Sequence, residues 1–149
     1  MLHRIDRLLA PNGSQRELID PVFRVLTSLI FIIGGLGHFG QHQMMLDRMA
    51  VSPWRGVVAQ IGDLALLLWL SGVVFVIFGV TLALGLATRL SALLILVTLV
   101  PITFFTHIAP GHIGPLFKNI AIMGALGLLW VRGGGAYSLD RRWLAANAS

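Results

Sequence analysis

The chain has 149 residues, of which 56% are apolar and only 11% charged, with a mean hydropathy of +0.85. That balance excludes an ordinary water-soluble domain and points to a protein solvated by lipid. The net charge of +5 comes from basic residues at the edges of apolar runs, not from one soluble basic face, which excludes nucleic-acid binding; the lack of cysteine excludes iron–sulfur clusters, thiolate metal sites and disulfides.

Residues 1–21 form a polar, basic segment in which Leu2, Ile5, Leu8 and Leu9 have helical spacing. A short amphipathic helix on the membrane surface, ended by Pro11-Asn12-Gly13, and a frayed tail are both open readings. The first span is expected over 22–39, after Pro21, with Arg24 near its start and snorkelling to the headgroups. Gly34, Gly35, Gly37 and Gly40 crowd its far end, where small residues let helix backbones approach. Residues 41–63 are mixed in character, and Pro53 and Trp54 suit a turn and an interfacial anchor.

The stretch Leu64 to Leu86 is the clearest element: 23 residues without a charge. At roughly 1.5 Å per residue such a helix is about 35 Å long, enough to cross a hydrocarbon core of roughly 30 Å. Ser71 and Thr81 within it can bond back to their own helix. Arg89 marks a short turn, so the third span, over 90–105, should lie antiparallel to the second; Pro101 removes one of its backbone hydrogen bonds. Residues 107–115 read as a loop from their proline and glycine content. The fourth span is expected over 116–131, with Lys118 and Asn119 in its first turn and small residues at Ala121, Gly124, Ala125 and Gly127. Residues 133–149 form a polar tail. The fold class is therefore all-α: an integral membrane four-helix bundle, with a single domain over 22–132.

With four spans, both tails and the turn at 88–89 share one side of the membrane. That side carries eight of the eleven Lys and Arg residues: Arg4, Arg7, Arg16, Arg24, Arg89, Arg132, Arg141 and Arg142. The positive-inside rule then puts both termini in the cytoplasm. The remaining polar groups, His38, His42, Asp47, Asp63, His107, His112, Lys118 and Asn119, fall at the opposite end. Three readings stay open for the histidines: contact with water and headgroups, a polar pocket for a small ligand, or a metal held by His38 and His42 at helical spacing. Lys118 either stays solvated or pairs with Asp63. No nucleophile–base pair, phosphate-binding loop or dinucleotide-binding glycine pattern is present, so no catalytic residue is assigned.

Several stretches together resemble a family. Residues 117–129 (FKNIAIMGALGLL), followed by 133–140 (GGGAYSLD), resemble the ending of the DoxX family of small bacterial inner-membrane proteins. Gly79 with Gly85-Leu86-Ala87-Thr88-Arg89 resembles that family's glycine-to-arginine turn, and residues 35–39 (GLGHF) resemble its first-span motif. The resemblance implies a four-helix bundle with cytoplasmic ends and an association with quinone-linked respiratory redox complexes. Two departures stand out: Phe75 replaces a glutamate that many relatives carry, and His38 replaces a lysine. The expected role is a subunit without a redox centre of its own, holding a quinone between His38, His107, His112, Lys118 and Asn119. Membrane lipids and other membrane subunits, or further copies of the chain, are the expected partners. The alternatives are a purely structural accessory subunit and a small oligomeric transporter.

Overall fold

The computed structural model describes residues 5, 9–108, 111 and 113–147. The surface helix expected around Leu2 and Leu8, the charges Arg4 and Arg7, and His112 lie outside the described residues. Seven helices follow one another from Gly13 on among the described residues: α1 (Gly13–Gly40), α2 (His42–Ala50), α3 (Arg55–Ile61), α4 (Leu64–Leu84), α5 (Thr88–His107), α6 (Ile113–Arg132) and α7 (Leu139–Ala146). There is no strand among the described residues. Helices α1, α4, α5 and α6 are each long and apolar enough to span a membrane.

The first span begins earlier than its apolar run. Asn12 caps α1 through its side chain, and Gln15 returns a bond to the Asn12 amide. This capping box starts the helix before Pro21, and Pro21 sits inside it. A proline removes one amide donor, which an otherwise well-capped helix tolerates. Arg24 consequently lies well inside α1 rather than at its mouth. Helix α4 ends close to expectation, at Leu84, because Gly85 adopts the left-handed conformation with φ +70°.

Helix α1 packs chiefly on α4, α6 chiefly on α5, and α4 and α5 lie side by side. Glycines bring α1 and α4 together. A Cβ on Gly35 would lie 2.9 Å from Phe75 Cβ, and one on Gly72 would lie 2.8 Å from His38 Cβ. The backbones therefore touch where glycine leaves room. A Cβ on Gly124 or Gly127 of α6, by contrast, would meet nothing within 4 Å among the described residues.

The interior is not the greasy half of this molecule. Among the described residues, nine buried side chains are apolar and nine are polar or charged, while Ile33, Trp69, Ile77, Val97, Phe117 and Val131 are exposed. That distribution suits a solvent of acyl chains, in which polar groups must find partners inside. They do so locally: Ser28 donates to Val25 O at 2.7 Å, Thr81 and Ser91 share a hydrogen bond of 2.8 Å, and Asn119 Nδ2 donates to Thr103 Oγ1 at 2.9 Å.

Candidate functional site

Two polar regions stand at opposite ends of the bundle. The first gathers the start of α1, the α4–α5 turn and the tail after α6. Arg24 is only 3% exposed. Its guanidinium donates to Ala83 O at 3.2 Å, to Tyr137 O at 3.0 Å and to Gly134 O. This corrects the expectation of a snorkelling Arg24: the side chain turns inward because the tail supplies carbonyls that only this fork can reach together. Asp140 returns the favour to α5. Its carboxylate accepts from the amides of Ala87 at 2.6 Å and Thr88 at 2.9 Å, capping that helix, while its own amide donates to Gly85 O at 2.9 Å. The Thr88 hydroxyl is buried beside the same carboxylate. Burial works to raise the Asp140 carboxyl, but the Thr88 and Ala87 amides and the charge of Arg24 outweigh it and hold the group below its ordinary value. Asp20 and Arg132 close the cluster with an ion pair of 2.9 Å.

No space is left there. A Cβ on Gly85 would stand 2.7 Å from Arg24 Cζ, and one on Gly134 2.6 Å from Ser138 Cβ. The knot holds the tail to the bundle and offers no room for a ligand.

The second region lies at the other end and is open. A cavity of about 490 Å³ runs between α4 and α5 beneath α2 and α3. Leu67, Val74, Ile102 and Phe105 line its body, with Met45 and Met49 from α2. Its polar lining comprises His38, Arg48, Ser52, Ser71, Thr98, Thr106 and His107. The cover is fastened to the end of α5: Ser52 donates to Phe105 O at 3.0 Å, and Trp54 Nε1 donates to Ile108 O at 3.2 Å. Trp54 also packs on Phe104, with ring centroids 5.0 Å apart.

His38 is the best-positioned group in this cavity. It is 8% exposed, wedged against Gly72 and edge-on to Phe75 at 5.6 Å. Its Nδ1 lies 3.1 Å from Leu68 O and 2.9 Å from Ser71 Oγ. Nε2 has no hydrogen-bond partner among the described residues, yet it is not sealed away. Phe75 gives this imidazole an apolar neighbour.

Of the five candidate residues, the cavity brings His38 and His107 together. Asn119 is buried elsewhere, on Thr103 between α5 and α6. Lys118 is exposed on α6. It does not pair with Asp63, which instead caps α4 through Leu66 N at 2.8 Å; among the described residues the one ion pair is Arg132–Asp20. No three His, Asp or Glu side chains gather among the described residues. Ser71 was legible only as a residue bonding its own helix, which it does, donating to Leu68 O at 2.7 Å; its second role beside His38 was not. Arg24 had one overlooked signal, an arginine four residues after Asp20 within a continuous helix.

Residues 20–108 match the family model described as DoxX. The match takes in α4, α5, the cavity and most of α1, and stops before α6 and the tail motif. No curated protein and no solved structure matches the chain.

Proposed function

The chain belongs to the DoxX family, and we propose that it is a bacterial inner-membrane subunit that holds a molecule of the quinone pool beside a respiratory redox complex. The cavity carries this reading: an apolar chamber of about 490 Å³ at one end of the bundle, with one unpartnered imidazole nitrogen inside it. Small-molecule sites commonly occupy roughly 300–1,000 Å³ and pair an apolar wall with few polar groups. A quinone head at His38, with its tail along Leu67, Val74 and Ile102, fits that division. When bound, a quinone supplies two-electron, two-proton redox chemistry. The residues of this chain bind and orient: Gly72 sets the position of His38, Ser71 and Leu68 set its ring, and α2–α3 cover it. Electrons would come from a partner protein. The Lys and Arg asymmetry supports cytoplasmic termini.

Mass spectrometry of the protein gently purified from its own membranes tests this. We expect bound quinone near one molecule per chain, together with a redox enzyme at fixed ratio. In His38→Ala the bound quinone should fall several-fold while the melting temperature holds. A native preparation free of quinone would overturn the reading. A purely structural accessory role is the second reading, favoured by the open α6 face at Gly124 and Gly127; a stoichiometric partner with no small molecule would support it.

A further inference from the structure

The hydroxyl hydrogens of the cavity wall are already committed. Ser71 donates to Leu68 O at 2.7 Å, Thr98 to Leu94 O at 2.8 Å, Ser52 to Phe105 O at 3.0 Å, and Thr106 to Ile102 O. Each hydroxyl therefore turns only lone pairs to the interior. Rotating one toward a ligand would break a bond to a backbone carbonyl and gain only one in exchange.

The same bonds fix the tautomer of His38. Leu68 O can only accept, and the Ser71 hydrogen already points at it. Nδ1 must therefore carry a proton to satisfy both neighbours. In a neutral imidazole this leaves Nε2 as a bare acceptor. The lining's other donors are Arg48 and His107. Arg48 is exposed at the rim, its guanidinium 3.8 Å from Met44 Sδ, and His107 ends α5 and is itself engaged.

We propose that the cavity selects a ligand whose head donates an O–H hydrogen bond to His38 Nε2. Resting on the quinone-pool reading above, it holds the hydroquinone in preference to the quinone. A carbonyl head would set its lone pairs against those of Nε2 and four hydroxyl oxygens. A phenolic O–H completes the vacant imidazole acceptor. By linkage, tighter binding of the reduced form makes the bound couple easier to reduce than the free one.

The test uses the full chain in quinone-free phosphatidylcholine nanodiscs, with uptake by empty discs subtracted. Three probes of one shape are compared: a decyl-substituted benzoquinone, its hydroquinone under anaerobic reducing conditions, and the dimethyl ether of that hydroquinone. One net hydrogen bond predicts that the hydroquinone binds about fivefold to tenfold more tightly than either of the others. In His38→Gln, whose amide can donate or accept, the three should bind within about twofold of one another. Nitrogen-15 NMR of labelled histidine supplies a readout independent of affinity. Ligand-free His38 should show an unprotonated Nε2 whose resonance moves with the hydroquinone and not with the ether.

Equal or tighter binding of the quinone, or a protonated Nε2 in the neutral ligand-free protein, overturns the donor selectivity and leaves the quinone-pool site standing. Binding of none of the three overturns both. The ether comparison is made on the unaltered chain, so it decides the matter even if the His38 variant fails to fold.

Discussion

The two ends of this bundle are both polar, and only one of them has anything left to bind with. At the tail end, Arg24 meets three carbonyls, Asp140 meets two amides, and glycines at 85 and 134 let the parts close without a gap. At the cavity end, hydroxyls and imidazole are tied to backbone carbonyls, yet His38 lines open volume and its Nε2 has no partner among the described residues. A count of charged side chains would rank the tail end first. What separates the ends is residual hydrogen-bonding capacity combined with space. The tail end is a structural knot, and the cavity end is a site.

The knot offers the largest expected effect. Arg24→Ala leaves three carbonyls without their donor in a water-poor setting, and each buried acceptor left unsatisfied costs about 1–3 kcal/mol. We expect poor accumulation and a much lower melting temperature in mild detergent, with any protein that does fold binding the cavity probe normally. A stable Arg24→Ala protein would break the comparison, since the knot would then not hold the tail.

The spans were legible in the sequence because uninterrupted apolar runs leave little else to be in water or lipid. The knot was not. Gly134 is 110 residues from Arg24 and offers only a backbone carbonyl, which no side-chain pattern announces. Pro21 read as a break, so Arg24 read as an interfacial residue; the Asn12 cap that starts the helix earlier reversed both readings. The cavity was half legible. Orientation put His38 and His107 at one end, but the cover formed by α2 and α3, and the tautomer imposed by Leu68 and Ser71, depend on where glycines 35 and 72 let two helices touch. Lys118 and Asp63 looked complementary in sequence, yet Asp63 is occupied as a helix cap.

Asp140→Asn tests the knot more gently. The variant keeps the side-chain shape and one carbonyl acceptor but loses the charge that caps α5, a change of about 1 kcal/mol. The folded carboxyl titrates below its ordinary value. Its stabilisation is therefore fully present above the unfolded carboxylate pKa and is lost as pH falls through the folded one. Melting curves from neutral pH downward should show the two proteins converging in acid. A gap that stays constant would mean that shape, not charge, holds the tail.

Lys118→Gln should do least. Lys118 is exposed at the start of α6 and lies outside the lining of the cavity. An exposed lysine in that setting lays its stem on apolar surface and keeps its ammonium in water, and its replacement typically changes stability by no more than about 0.5 kcal/mol. If the operative group of the cavity is the neutral acceptor on His38, a distant cation adds nothing to the binding of an uncharged head. Hydroquinone affinity in nanodiscs should therefore match that of the unaltered chain within about twofold, a shift of roughly 0.4 kcal/mol at most. A loss of tenfold with an unchanged melting temperature would mean that α6 contributes to the site in a membrane. The boundary between the site and the rest of that end would then lie beyond α5, with a charge inside it.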